Sequence, residues 1–280
     1  MVISWKVASF LSLNSTDQLM GLPRIIIVVI ASRAEAIHEQ LLTSFWVPFI
    51  RDVVPRYKIV KVRLVFGAGT PISDLASIRD SIMLGRSPES YIPGILAKTM
   101  DAFSALLKEP FDFIVRTNLS SFWILGNLLR RLSRYRRTRL YNGIGNPPLT
   151  LEQARLGIVF SGSKSEEEMR KLSQSSTRAI SGAGIILSRD VVATLVLNRR
   201  RLRYDIIDDV AIGMFLDGKV LLSRGHRLDA YACARNISDL HNADKALAKH
   251  PYYHIRVRCY GPRDYEPTVM KYLLRKVYGI

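Results

Sequence analysis

Two short pieces of this chain carry residue types that could do chemistry. Ser181-Gly182-Ala183-Gly184, between the apolar residues Ile180 and Ile185-Ile186-Leu187, reads as a turn of small residues. The missing side chains would let a ligand such as a sugar come up against the main chain. Further along, Asp208-Asp209-Val210-Ala211-Ile212-Gly213 sets two adjacent carboxylates at the mouth of a helix-like segment. A carboxylate held there can take the proton from an attacking hydroxyl. Asp209 is the expected general base, with Asp208 binding the acceptor or supporting the loop. Each piece also has a plainer use. Acidic residues favour the first turn of a helix, and small residues serve any tight turn.

The elements that must position these residues follow from hydrophobic period. Ile25-Ile26-Ile27-Val28-Val29-Ile30-Ala31 is a buried strand, too short for the roughly 20 residues a membrane span needs. In Arg33–Ile50, the apolar positions Ile37, Leu41, Leu42 and Phe45 recur at helical spacing. A second strand is predicted over Ile59–Phe66, stopping at Gly67, and a third over Phe111–Arg116 after a helix at about Gly94–Leu107. Strands separated by helices imply an α/β fold with a mixed, mainly parallel sheet flanked by helices. Ligands of such sheets collect beyond the carboxyl ends of the strands. The positions to watch are therefore Ser32-Arg33, Gly67-Ala68-Gly69 and Thr117-Asn118-Leu119-Ser120. Tyr253-His254-Ile255-Arg256-Val257-Arg258 alternates like a late strand with one polar face. Pro147-Pro148 and Ser161–Ser176 read as loops inside one domain spanning the chain.

With 41 Lys and Arg against 24 Asp and Glu, the formal charge is +17. Such a balance favours polyanionic company: nucleotide phosphates, nucleic acid or an acidic surface. The densest run, Arg130–Arg139, is either a solvated helix face or a phosphate or acceptor contact. Two cysteines, Cys233 and Cys259, are too few for a disulfide framework and lack metal-site spacing, so a soluble protein of a reducing, cytoplasmic compartment is expected. Met1–Leu22 lacks the apolar core of a secretory signal. The Asn-x-Ser/Thr triplets at Asn14, Asn118 and Asn236 are then coincidental.

The succession of an apolar strand, Phe45-Trp46, Phe66-Gly67, Lys98-Thr99, Phe111–Thr117, Ser181-Gly182-Ala183-Gly184 and Asp208–Gly213 resembles GT-A glycosyltransferases of the galactosyltransferase and fringe type, over roughly residues 23–220. The resemblance implies a nucleotide-sugar donor, taken as a UDP-sugar. It also implies a Rossmann-like nucleotide half at about 23–125, an acceptor half at about 150–280, inverting transfer and a donor role for Lys98. Soluble, basic chains of this type are similar to capsid-glycan enzymes of large algal viruses, which would imply a glycoprotein acceptor and UDP-xylose, and to bacterial surface-glycan enzymes.

One departure matters. Where the family has Asp-x-Asp, this chain has Asn118-Leu119-Ser120, and hard cations such as Mn²⁺ or Mg²⁺ want anionic oxygens. Arg116, Arg33, Arg256 and Arg258 are expected to supply the diphosphate's counter-charge, since guanidinium matches phosphate oxygens in a forked geometry. A weakened metal site of Asn118, Ser120 and, by analogy with the family, His254 stays open. Trp46, Trp123 and Tyr252-Tyr253 offer faces that could stack on a base or a sugar, or pack the core. Three alternatives remain: a nucleic-acid-binding protein, a DNA-base glycosyltransferase, and a relative that has lost catalysis.

Overall fold

The computed structural model describes residues 21–145, 165, 167–171, 179–232, 234–258 and 261–280. Met1–Met20, Pro147-Pro148 and both cysteines lie outside them. Within Ser161–Ser176, residues 167–171 are helical where a loop is expected.

The first strand, β1 (Ile25–Ile30), is buried along its whole length. Its β-branched side chains fit a strand covered on both faces. Ile25, Ile27 and Val29 enter one core with Leu41, Phe45, Trp46, Phe49 and Leu273. Ile26, Val28 and Ile30 enter another with Leu96, Met100, Phe103, Val191 and Ile212. The two-residue period of a strand thus divides one sequence between two layers of helices.

In chain order there follow α1 (Ala36–Leu41), continued by wider helical turns to Val53, then β2 (Val60–Phe66) and β3 (Ile82–Leu84). Next come α2 (Gly94–Leu106), β4 (Phe113–Asn118), β5 (Ser121–Trp123), α3 (Leu125–Leu132) and β6 (Leu140–Gly145). The second half adds β7 (Ile180–Ser188), α4 (Arg189–Leu197), α5 (Asp208–Leu216), β8 (Leu221–Arg224) and β9 (Arg227–Leu228). The chain closes with α6 (Ile237–Ala248), β10 (His254–Arg256) and α7 (Glu266–Tyr278).

Among the described residues, the main sheet has seven strands in the order β3-β2-β1-β4-β7-β6-β8. It is mixed and mainly parallel: β7 runs antiparallel to both β4 and β6, and the other neighbours are parallel. A second sheet, β5-β10-β9, stands beside it.

Three expectations are corrected. Ser181–Gly184 lies inside strand β7, not in a turn, because it pairs on one side with β4, Gly184 opposite Thr117, and on the other with β6, Ile180 opposite Gly145. The third strand sits at Phe113–Asn118, since the Asp112 N–H is drawn aside to the carbonyl of Arg24. The late strand is only His254–Arg256 and belongs to the second sheet, where His254 faces Trp123 and Arg227.

Candidate functional site

The two motifs meet. The Gly182 N–H donates to Asp209 Oδ2 at 2.9 Å, and the Val210 N–H donates to Asp209 Oδ1 at 2.8 Å. Gly213 makes this approach possible. A Cβ there would come within 2.7 Å of Ala179 Cα, so only glycine lets α5 lie this close to the start of β7. Gly213 stands one helical turn after Asp209, on the same face of α5. Both acids occupy the first turn of that helix, where the helix dipole favours negative charge.

Asp208 and Asp209 are adjacent but differently housed. Asp208 is buried and pairs with the buried Arg116 guanidinium at 2.5 Å, while Asp209 is half-buried. Burial pushes the Asp208 carboxyl up to about 6; Arg116 opposes the shift and neighbouring Asp209 adds to it. Arg116 also donates to the Gly182 carbonyl. Gly182 is therefore clamped at both ends, by Arg116 on its C=O and Asp209 on its N–H. A Cβ at Gly182 would sit 2.6 Å from the Arg116 guanidinium.

The end of β4 is knitted into the same strand. Thr117 Oγ1 donates to the Ala183 carbonyl at 2.6 Å, and Ser121 Oγ donates to the same oxygen at 2.9 Å and to Asn118 Oδ1 at 3.1 Å. Ser120 is buried, donating to Glu266 Oε2 and accepting from Arg263 Nη2, each at 3.0 Å. Arg263 further pairs with Glu266 and Glu35. His254 stacks on Trp123 with ring centres 4.2 Å apart and presses against Gly184. Asn118, Ser120 and His254 thus do not fit a divalent cation. They offer two neutral oxygens already engaged in hydrogen bonds and one imidazole, a poor donor set for a hard ion. Among the described residues, no group of three or more His, Cys, Asp or Glu could hold a metal.

The second sheet lines the site with bases. Arg227 Nη1 donates to Ser181 Oγ at 3.3 Å and its Nε pairs with Asp229 at 2.8 Å. Arg256 is half-buried opposite Ser121, and Arg258 is exposed. Burial holds the His254 imidazole well below its usual pKa, and Arg227 and Arg256 push the same way. Its Nε2 is buried without a hydrogen-bond partner among the described residues. Such an atom calls for an explanation, since most buried polar groups are hydrogen-bonded.

The residues at the ends of β1 and β2 are turned to structural partners. Arg33 binds Asp74, Glu39 and the Pro71 carbonyl, and Ser32 Oγ accepts the Ala34 N–H. Lys98 is buried, donating to the Ala31 carbonyl and to Glu89 Oε2, each at 2.7 Å. The second Glu89 oxygen takes the Gly67 N–H at 2.7 Å. A Cβ on Gly67 would meet the Glu89 backbone at 2.7 Å, so this glycine admits the Glu89 loop instead of a ligand. Trp46, Trp123 and Tyr253 are core residues. The Arg130–Arg139 run lies at the other end of the sheet, where Arg137 pairs with Asp112 ahead of β4. Sequence reasoning missed Glu89, Arg227, Arg263 and Glu266, because the contacts that place them at the site, Glu89 with Gly67, Arg227 with Ser181 and Arg263 and Glu266 with Ser120, join segments far apart in the chain.

No protein-family model and no curated protein matches the sequence. Among solved structures, the fold is similar to a mannosyltransferase from Pyrobaculum calidifontis in complex with GDP-Man and Mn²⁺, at 13% identity over 90% of this chain and 70% of that one, with a TM-score of 0.41. It is also similar to glucosyl-3-phosphoglycerate synthase from Mycobacterium tuberculosis in complex with UDP, at 12% identity, 81% and 78% coverage and a TM-score of 0.41. A third is the apo glycosyltransferase GlyE of Streptococcus pneumoniae, at 8% identity, 89% and 60% coverage and a TM-score of 0.44. Among the described residues, no helix is long and apolar enough to cross a membrane.

Proposed function

We infer that this chain is a nucleotide-sugar-dependent glycosyltransferase of GT-A type, transferring with inversion, with Asp209 as its base. The observation that carries the reading is the division of labour between adjacent carboxylates. Asp208 is consumed by Arg116, whereas Asp209 is held by two backbone N–H groups at the rim of the site. Those contacts orient a carboxylate without protonating it.

In the step proposed, the acceptor hydroxyl gives its proton to Asp209 while its oxygen attacks the anomeric carbon. The bond from that carbon to the diphosphate oxygen breaks, and the diphosphate leaves with the electron pair. His254 Nε2, Arg256 and Arg258 are assigned to the diphosphate. What supports this is that His254 and Arg256 lie on β10 of the second sheet, with His254 against Gly184 and Arg256 opposite Ser121. The donor half is assigned to about 23–125 and the acceptor half to about 150–280. A UDP-sugar is the donor class, with UDP-xylose the first to try, and a glycan, on a viral capsid protein in one version, is the acceptor. A cytoplasmic location goes with the cysteine content.

The test is Asp209→Asn. Turnover should fall about 10²- to 10⁴-fold, the usual worth of a positioned base. UDP affinity should stay within about twofold, because a lost base affects the chemical step and little of ground-state binding. A variant with wild-type turnover would remove Asp209 from the mechanism.

A further inference from the structure

At the β3 edge of the main sheet, β3 with Gly85-Arg86 after it, one face of α2 and Arg199 enclose a cavity of about 260 Å³. None of the residues that line it belongs to the candidate site. Asp101, Ser104 and Lys108 recur at helical spacing, so they share one face of α2 and the turn that follows it. Gly85 lets the end of β3 come down on α2, since a Cβ there would meet Lys98 Cβ at 2.9 Å. The Arg86 N–H then donates to Asp101 Oδ2 at 2.9 Å, which fixes the backbone that carries the Arg86 side chain. Arg199 opens the short helical turn Arg199–Arg201 after α4. Arg86, Lys108 and Arg199 are exposed, and among the described residues none of the three is in an ion pair. The lining thus carries three cations and one carboxylate, an excess of two positive charges. Like charges gathered this way repel one another, and an anion placed among them relieves the repulsion.

We propose that this cavity binds a small phosphate monoester, its phosphate held by Arg86, Lys108 and Arg199 and its hydroxylated carbon body by Asp101 and Ser104. The inference goes beyond the transfer reaction and does not depend on it. A phosphate monoester carries a charge of about −1.5 to −2 at pH 7, which matches the excess in the lining. Guanidinium forks fit two phosphate oxygens at a time, and the lysine adds a point charge. A carboxylate keeps acceptor sites after taking one backbone N–H, so Asp101 is suited to ligand hydroxyls. The volume falls just below the roughly 300 Å³ at which drug-sized pockets begin, so the ligand is small. A sugar phosphate meets all of these requirements. Arg86 and Lys108 come from the half assigned to the donor and Arg199 from the half assigned to the acceptor, so the bound ligand would tie together segments far apart in the chain.

The experiment titrates wild type, Arg86→Ala, Arg199→Ala and the double variant calorimetrically with glucose 6-phosphate, with glucose as the uncharged control and saturating UDP as a competitor. Wild type should bind glucose 6-phosphate and not glucose, and its melting temperature should rise with the ligand, because a ligand that binds only the folded chain stabilises it. Each single variant should weaken binding about tenfold, the loss of one hydrogen bond to a charged group, and the double variant should abolish it. Saturating UDP should leave the affinity within about twofold. A wild type that does not bind, or a double variant that binds at wild-type affinity, overturns the proposal. Displacement by UDP overturns it too, by putting the phosphate in the diphosphate site. Vesicles carrying phosphatidic acid present the same phosphate on a lipid. A protein that binds them and not glucose 6-phosphate has a membrane-surface site, which overturns the assignment to a small ligand. Arg86 and Arg199 are exposed, so without ligand the variants should melt with the wild type.

Discussion

Removing the Arg116 guanidinium, by Arg116→Met, should damage this protein more than any surface arginine would. The pair with Asp208 spans 2.5 Å, with the side chains only 4% and 8% exposed. Two unit charges about 4 Å apart attract by about 4 kcal/mol at an effective dielectric of about 20. Breaking a buried pair by deleting one partner costs about 3–5 kcal/mol, because the other charge stays buried. Chemical denaturation should therefore show a loss of that size for Arg116→Met and a similar one for Asp208→Asn. In the double variant the loss should be well below the sum, since neither charge is then stranded. The coupling, at about 2 kcal/mol or more, falls within the range for residues in contact. The pH dependence supplies a second check. The folded-state value for Asp208, about 6, lies above the ordinary aspartate value of 3.8. Its stabilising proton is thus fully in place below about pH 4 and is lost as pH rises through about 6. Asp208→Asn should abolish that slope, and Arg116→Met should move it to higher pH. Single-variant losses near 0.5 kcal/mol that simply add would refute the buried-pair argument, as that is the behaviour of an exposed pair.

Further outcomes follow from the same geometry. Gly213→Ala must push α5 away from Ala179, where a Cβ would stand 2.7 Å from Cα; it should cost about 1–3 kcal/mol by overpacking. It should also lower turnover by displacing Asp209, and a variant of normal stability and turnover would show that Gly213 does not set this distance. EDTA should leave UDP-glucose affinity within about twofold, because Ser120 is bound to Glu266 and Arg263 and offers no anionic oxygen. A large loss in calorimetry, restored by Mn²⁺, would contradict that.

Much of the fold was legible in the chain because it is written in local period. The Ile25–Ala31 run could only be a strand buried on both sides, and the helix over Gly94–Leu106 announced itself by spacing. The carboxyl-end positions of β1, β2 and β4 followed from the order of strands and helices. The place of Asp208 and Asp209 at a helix start was legible for a similar reason, since a pair of carboxylates there is a local pattern. The strand character of Ser181–Gly184 was hidden. Glycine and serine are poor strand formers, and only pairing with β4 and β6 holds them extended.

Sequence alone determined the layered α/β architecture, the two motifs and the lack of a carboxylate in Asn118-Leu119-Ser120. Only the tertiary structure decided what each charged group does. It buried Arg116 on Asp208 and Gly182, 66 residues away in the chain, and spent Lys98 on Glu89. It also turned Arg33 to Asp74 and brought Arg227 to Ser181. The physical reason is that a strand's period states which face a side chain occupies. The partner that neutralises a charge is chosen by close packing between segments far apart in sequence, and on that choice rests whether an arginine meets a ligand or a neighbouring carboxylate.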